Sequence, residues 1–303
     1  MLAVVIPYYK ITFFEETLAS LANQTSKEFN VYIGDDASAE NPESIITAFK
    51  DKLNITYKRF GSNLGSISLS RHWKRCIELT KGEEWIMVLG DDDLISPLAV
   101  ESFYEHYKNF NERSNVVRFS SQILFDETNT FSGVFEQPRW EKPEDSFMRR
   151  YQGQSRSSLS EYVFAKKAYD LHGFYDYPLA WHSDDRAWLE FSNNKPIYSI
   201  NAAIVVFRHS TYNITGRKDN KEEKSIASEE FFRFLSQWQG FSKKYQLMFA
   251  RIFERDLRKK GKIETKEWLI LLKIYLSNFQ LKPFKLFCKR WFEESILNKT
   301  PSL

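Results

Sequence analysis

Residues 85–97 read WIMVLGDDDLISP, five apolar residues followed by a glycine and three consecutive aspartates. The apolar run predicts a buried strand, which places Asp91, Asp92 and Asp93 at its carboxyl end. In an open α/β sheet, ligands bind outside the carboxyl ends of the strands. Three adjacent carboxylates repel one another, and hard cations such as Mg²⁺ or Mn²⁺ take oxygen ligands that they commonly share with substrate phosphates. The stretch therefore predicts either a metal and phosphate site or a solvated acidic turn before a helix that starts at Pro97.

Strands and helices alternate on both sides of this stretch. The apolar patterns predict strands over residues 3–6, 29–34, 55–60 and 85–89, with helices over residues 14–23, 42–52 and 66–80 between them. This order predicts an α/β fold with a doubly wound, mostly parallel sheet. Further along, the predictions are strands or hairpins over residues 116–134, an irregular mobile loop over residues 139–158, a short strand over residues 160–164, and helices from about residue 221.

Composition restricts the class of protein. At 303 residues, 42% of them hydrophobic, the chain can form one large domain with an accessory segment. The net charge of +3 does not favour nucleic acid as a partner, although residues 240–303 hold 15 Lys and Arg against six Asp and Glu. Cys76 and Cys288 indicate a reducing, cytoplasmic compartment without disulfides. No segment reads as a signal peptide or a membrane span.

Four motifs occur in a fixed order along the first third of the chain. They are Pro7-Tyr8-Tyr9, Gly34-Asp35-Asp36-Ala37-Ser38, Asn63-Leu64-Gly65 and Gly90-Asp91-Asp92-Asp93. Together they resemble the motifs of a GT-A family 2 glycosyltransferase over about residues 2–215. The resemblance implies a GT-A domain over residues 1–220, with a Rossmann-like nucleotide-binding half (1–96) and an acceptor half (97–220). The helical extension, residues 221–303, lies outside it.

The resemblance implies a nucleotide pocket at the strand ends. Its base and ribose site would be lined by Pro7, Tyr9, Asp35, Asp36 and Ser38, with Asp36 accepting from the uracil N–H. The positions that would lie near the nucleotide or its phosphates are Asn63, Gly65, Arg71 and Asp91. Two simpler interpretations remain open, since the acidic pair could form an Asx-type turn and Arg71 could be a solvated helix residue.

The metal site departs from the family pattern at one position. The usual motif is Asp-x-Asp-Asp, whereas Gly90 stands here at the first Asp. By resemblance Asp92 is the direct ligand of Mn²⁺ or Mg²⁺, and Asp91 and Asp93 support it. His209 would ligate the metal or contact the diphosphate, or else be an ordinary loop histidine. Arg208 and Arg217 are candidate phosphate contacts.

A second acidic pair lies downstream, in Trp181-His182-Ser183-Asp184-Asp185-Arg186. It resembles the family segment that opens a helix below the acceptor site, which makes Asp185 the general base and Asp184 the alternative. Carboxylates also stabilise the first turn of a helix without any catalytic role. Inverting transfer needs one base to deprotonate the acceptor hydroxyl as it attacks the sugar.

These residues predict an inverting, metal-dependent glycosyltransferase that uses a nucleotide-sugar donor, with UDP-sugar as the first choice. The acceptor would be a glycan or a lipid-linked saccharide in cell-surface polysaccharide synthesis. The alternatives are a metal-dependent nucleotidyltransferase, which would need a triphosphate-binding loop after the first strand, and a non-catalytic glycan-binding protein. The basic, aromatic C-terminal helices predict either core packing or peripheral contact with the inner face of the plasma membrane.

Overall fold

The computed structural model describes residues 1–211, 214, 216 and 219–295. The chain divides into two compact units, Met1–Asn220 and Lys221–Leu303. Among the described residues, no helix is long and apolar enough to cross a membrane.

The first unit is built on one large sheet. Its strands are β1 (Leu2–Tyr8), β2 (Phe29–Asp35), β3 (Ile55–Arg59), β4 (Trp85–Val88), β5 (Leu94–Ile95), β6 (Val116–Phe125), β7 (Thr130–Phe131), β8 (Trp140–Glu141), β9 (Tyr162–Ala165) and β10 (Ile197–His209). Its helices are α1 (Phe14–Ala22), α2 (Glu43–Phe49), α3 (Leu69–Ile77), α4 (Ala99–Phe110), α5 (Pro143–Tyr151), α6 (Lys166–His172) and α7 (Ser183–Ser192). The strands from Leu2 to Ile6 and from Trp85 to Val88 are buried throughout, as expected for central strands covered on both faces.

The sheet order is β3-β2-β1-β4-β9-β6-β10-β5, with β7 on β6 and β8 on β10. Strands β1 to β4 pair in parallel, as do β6 and β10. Strand β9 runs antiparallel between β4 and β6, and so joins the two parallel groups into one sheet. The predicted α/β fold class with a mostly parallel sheet is confirmed, and the antiparallel insertion adds a feature that hydrophobic patterns do not reveal.

Two local predictions differ from the structure. Residues 139–158, predicted as an irregular loop, contain β8 and α5, and α5 begins at Pro143 with Glu144 and Asp145 in its first turn. Proline and acidic residues are favourable there, because proline has no N–H to satisfy and carboxylates complement the helix dipole. Helix α3 begins at Leu69 instead of residue 66, since the Ser68 side chain accepts from the Arg71 N–H and caps it.

The second unit consists of helices α8 (Lys221–Leu235), α9 (Lys243–Lys260), α10 (Thr265–Ser277) and α11 (Leu281–Ser295). The apolar and aromatic residues at helical spacing in α10, α11 and the segment between them form a stripe made of Trp268, Leu271, Leu272, Tyr275, Phe279, Phe284, Phe287, Cys288 and Trp291. Of these, Trp268, Leu271, Tyr275 and Phe287 are buried in the unit's own core, and Leu272, Phe284, Cys288 and Trp291 pack against it. Tyr275 stacks on Phe287 with ring centroids 4.4 Å apart. Most of that stripe therefore packs inside the helical unit, while Phe279 is 50% exposed.

Candidate active site

The carboxyl ends of β1, β2 and β4 meet at one edge of the sheet, because the three strands are parallel and adjacent. Tyr8 pairs in register with Asp35, and β4 ends two residues before Gly90. The polar residues that follow these strands are consequently brought together. Hydrogen bonds and ion pairs of these polar residues connect the strand ends and form the candidate site.

Asp35 is fully buried and holds the strand ends together. Its Oδ1 accepts from the Ser38 N–H (2.8 Å), while Oδ2 accepts from the Tyr57 hydroxyl (2.7 Å) and the Arg59 guanidinium (2.7 Å). Ser38 in turn donates its hydroxyl to the Tyr9 carbonyl (2.6 Å). Asp35 and Ser38 thus fix the backbone around the predicted base pocket through contacts within the protein.

Asp36 holds the loop formed by residues 63–65. Its two carboxylate oxygens accept from the Leu64 and Gly65 N–H groups, each at 2.8 Å, and Arg75 forms an ion pair with Oδ1. A Cβ on Gly65 would lie 2.5 Å from Asp36 Oδ2, so the loop can approach the carboxylate only with glycine there. Asn63 Oδ1 accepts from the Ser66 N–H and shapes the same turn. The predicted contact of Asp36 with uracil stays a prediction, in addition to this structural role.

The remaining pocket residues differ in exposure. Pro7 is partly buried at the end of β1, and Tyr9 is 43% exposed beyond it. Arg71 lies near the start of α3, where its guanidinium pairs with Asp176 at 3.1 Å and its side chain is 65% exposed. Asp176 also accepts from the hydroxyls of Ser68 and Ser70, which ties this loop to the amino end of α3.

The three aspartates after β4 have unequal surroundings. Asp91 Oδ2 accepts from the Tyr9 and Lys10 N–H groups at 2.8 and 2.9 Å, which links the turns after β1 and β4. Asp93 is buried and accepts from the Ser160 hydroxyl and from the Arg208 N–H. Within the described residues, the Asp92 carboxylate accepts no hydrogen bond from another residue. Burial raises the pKa of Asp92 well above its usual range, and the adjacent Asp93 and Asp91 charges raise it further.

Gly90 has a structural reason to lack a side chain. A Cβ at this position would lie 3.0 Å from both Asp92 Oδ1 and Asp93 Oδ2. An aspartate here, as in the usual family pattern, would add a further carboxylate to a cluster whose members already repel one another. The departure from the pattern therefore suits the arrangement of Asp92 and Asp93 in this chain.

Arg208 stabilises the aspartate turn from the end of β10. It is buried, its Nε donates to the Asp92 carbonyl (3.1 Å), and its guanidinium pairs with Glu16 and Asp126. These contacts give Arg208 a positioning role, and its predicted phosphate contact stays a prediction. The other predicted phosphate contact, Arg217, lies outside the described residues.

His209 follows Arg208 as the last residue of β10. It is exposed, and its ring lies 5.9 Å from that of Phe125. Within the described part of the chain, no group of three or more His, Cys, Asp and Glu side chains is arranged to hold a metal ion. Mg²⁺ is often held by one or two carboxylates together with substrate phosphates, and Asp92 suits that mode because its carboxylate is uncommitted and repelled by two neighbours. The metal site, including Asp93 and His209, stays a prediction.

The acidic pair lies in the first turn of α7, which begins at Ser183. Asp185 is buried, and its Oδ2 is 2.8 Å from His182 Nδ1 and 2.9 Å from an Arg150 nitrogen. Although burial opposes ionisation, Arg150 and His182 hold the pKa of Asp185 below its usual value. Burial and the Asp185 charge instead raise the pKa of Asp184 to about 7. The two neighbouring carboxylates therefore differ in protonation near neutral pH.

Sequence reasoning missed the basic residues that join the two acidic groups. Asp185 lines a small cavity with Arg150 and Arg156. Burial raises the pKa of Asp93, and the charge of the Arg156 guanidinium opposes part of that rise. Arg156 is itself paired with buried Glu161 at 2.6 Å. Both arginines lie in the stretch predicted as an irregular loop. The only local signal was the basic last turn of α5, and it does not indicate a partner 35 residues away.

Comparisons with known proteins show which families and structures the chain resembles. A family model described as Glycosyl transferase family 2 matches residues 3–161, just over half of the chain. An uncharacterized glycosyltransferase, MG060 of Mycoplasma genitalium, is 30% identical over 109 residues, which are 35% of this chain and 36% of that protein. The poly(ribitol-phosphate) beta-N-acetylglucosaminyltransferase TarP of Staphylococcus aureus is 31% identical over 97 residues, 31% of this chain and 29% of that protein. The matched segments thus span about a third of these relatives.

Solved structures resemble the chain over most of its length. The crystal structure of S. aureus TarS 1–349 in complex with UDP-GlcNAc has a TM-score of 0.64 at 14% identity, covering 94% of this chain and 83% of that one. The crystal structure of S. aureus TarS 1–349 without a named ligand has a TM-score of 0.63 at 15% identity, and the match covers 94% of this chain and 82% of that one. At these identities the likeness shows the fold. The ordered strand-end motifs and the family model, which covers more than half of the sequence, together show that the chain belongs to glycosyl transferase family 2.

Proposed function

We propose that this protein transfers a sugar, with inversion, from a UDP-linked donor to a hydroxyl of a glycan or lipid-linked acceptor in cell-surface polysaccharide synthesis. Membership of glycosyl transferase family 2 supports the reaction class. The names of the relatives support the donor class, since TarP is an N-acetylglucosaminyltransferase and TarS was crystallised with UDP-GlcNAc and with UDP.

One observation supports the proposal most directly. Asp92 presents an uncommitted carboxylate at the carboxyl edge of the sheet, between Asp91 and Asp93, whose carboxylates are held by hydrogen bonds. This arrangement costs free energy in the absence of a cation, because burial and like charges raise the pKa of Asp92. A carboxylate with two acidic neighbours suits a divalent metal ion, which would bring the compensating positive charge and would leave coordination positions for the donor diphosphate.

The residues of the chain have separate roles in this proposal. Asp92, with Asp91 or Asp93, would hold Mn²⁺ or Mg²⁺, which when bound stabilises charge on the diphosphate. Asp36 and Asp91 preorganise the nucleotide pocket by fixing loop 63–65 and the turn after β1.

Asp185 is the proposed base that accepts the proton of the acceptor hydroxyl. Its carboxylate lines the small cavity and is ionised at neutral pH. Arg150 and His182 position it, and Arg156 lines the same cavity. We assign the contact with the acceptor to Asp185 because its carboxylate is ionised, and a modulating charge to Asp184 because its pKa is raised to about 7.

The test is a screen of nucleotide sugars, starting with UDP-GlcNAc, for thermal stabilisation and for slow hydrolysis with and without Mn²⁺. We expect a UDP-sugar to stabilise the protein and to be hydrolysed only with the metal. The variant Asp92→Asn should lose both effects, and Asp51→Asn, at an exposed position, should lose neither. Stabilisation by a glycan without turnover of any donor would support a glycan-binding protein, and synthesis of a nucleotide sugar from a nucleoside triphosphate would support a nucleotidyltransferase.

A further inference from the structure

Helix α11 has an outward face that combines lysines with large apolar side chains. Lys282, Lys285 and Lys289 are exposed and recur at intervals of three and four residues, which places them on one side of the helix. Three large apolar side chains lie among them: Leu281 is 60% exposed, Leu286 48% and Phe292 52%. Lysines and large apolar residues thus share a single surface, which we call the α11 outer face.

The opposite side of the helix is fixed in the core of its unit. Phe287 is fully buried against Tyr275 and Trp268. Arg290 donates to both carboxylate oxygens of buried Glu254, at 2.6 and 2.7 Å. Because breaking a buried ion pair of this kind is strongly destabilising, the helix cannot rotate to turn its exposed apolar residues inward.

The charged residues of α11 are also divided between the buried side and the exposed side of the helix. Arg290 and Glu294 are buried and neutralised by partners on α9, Glu254 and Arg258. On the outer face, three lysines are accompanied by one acidic residue, Glu293. Its carboxylate lies 3.7 Å from the Lys289 amine, and an exposed ion pair of this kind contributes little stability. The outer face is therefore positively charged and apolar at once.

We propose that the α11 outer face binds the surface of a membrane that contains anionic lipids. A basic amphipathic helix lies in the interface with its apolar side chains among the acyl chains and its lysines near the headgroups. A second copy of this chain is a poorer occupant, since a symmetric contact would place lysines against lysines. The proposal goes beyond the transferase reaction and does not depend on it, although it would bring the enzyme to a lipid-linked acceptor.

The experiment is flotation of the full-length protein with phosphatidylcholine vesicles that contain or lack phosphatidylglycerol, at low and high salt. We expect binding only to the anionic vesicles, weakened by salt. The triple variant Lys282→Gln/Lys285→Gln/Lys289→Gln should bind about 100-fold more weakly, the factor that three lysines near an anionic surface represent. Leu286→Gln/Phe292→Gln should reduce binding about tenfold even at low salt.

Matched variants distinguish vesicle binding through the α11 outer face from binding through the overall charge of the protein. Lys50→Gln/Lys243→Gln/Lys244→Gln removes the same charge from exposed positions outside α10 and α11, and it should bind like the unmodified protein. Glu293→Gln should strengthen binding about fivefold, a gain that unfolding of the unit would not produce.

The proposal is wrong if the unmodified protein ignores anionic vesicles, or if the control loses as much binding as the α11 triple variant. It is also wrong if Leu286→Gln/Phe292→Gln abolishes a concentration-dependent dimer and leaves vesicle binding unchanged. Hydrolysis of a soluble donor should be the same in all these variants, so failure of the membrane proposal is distinguishable from failure of the proposed reaction.

Discussion

Replacing Asp184 by asparagine should make the protein more stable at neutral and alkaline pH. In the folded protein, burial and the adjacent Asp185 charge raise the pKa of Asp184 from 3.8 to about 7. The folded state therefore binds a proton more tightly than the unfolded state, and stability falls as pH rises from about 4 to about 7. The shift corresponds to about 4 kcal/mol of lost stability above pH 7. Asparagine has nearly the same shape and no charge, so the variant should recover most of the lost stability.

The other charged groups around Asp184 do not produce the same slope. Asp185 has a lowered pKa and is ionised throughout this range, and the Arg150 guanidinium is charged throughout it as well. His182 contacts Asp185 through Nδ1, and the substitution replaces neither of these two residues. The pH dependence of the difference in unfolding free energy between the variant and the unmodified protein should therefore report the loss of the Asp184 charge.

The assay is urea unfolding followed by near-ultraviolet circular dichroism from about pH 4 to about pH 8, the window set by the two pKa values. The stabilisation by Asp184→Asn should be near zero at the acidic end and rise by about 1.4 kcal/mol per pH unit until it levels off above pH 7. The control Asp51→Asn changes an exposed aspartate and should show no such rise. A flat difference across the range, or destabilisation at pH 8, would refute the electrostatic reasoning.

Three further predictions concern the site. Asp185→Asn should retain donor binding and lose on the order of 10²–10⁴-fold in transfer rate, measured with a trapped acceptor, and if Asp184→Asn shows that loss instead, the two roles are reversed. Asp92→Asn should abolish the metal dependence of UDP binding in calorimetry, and unchanged metal dependence would remove Asp92 from the metal site. Gly65→Ala should cost about 1–3 kcal/mol and weaken nucleotide binding, because the new Cβ would lie 2.5 Å from a carboxylate oxygen that already holds the loop. Gly61→Ala is its control, since a Cβ there meets nothing within 4 Å, and equal losses in both variants would contradict the role of the loop.

The fold class and the sheet edge that carries the candidate site follow from the sequence alone. Continuous apolar runs such as Trp85–Val88 specify buried parallel strands, and the polar residues directly after them must lie at their carboxyl ends. These are local properties, because the hydrophobic periods of strands and helices are set by residues that lie close together in the sequence. The positions of Asp36 and Asp92 just after their strands could be predicted for the same reason, whereas the place of Asp185 at the start of a helix was implied by the family resemblance.

What each of those carboxylates contacts depends on the tertiary structure. Asp35 accepts from Tyr57 and Arg59, and Asp36 accepts from the Leu64 and Gly65 N–H groups, contacts that the local sequence pattern does not indicate. Asp185 is held by Arg150, which is 35 positions away on a helix that sequence patterns did not predict. Likewise, periodicity grouped the aromatic residues of the C-terminal helices but did not show that Phe287 faces the core while Phe292 faces outward. Ion pairs and burial depend on how distant elements pack, and no repeating local pattern encodes that packing.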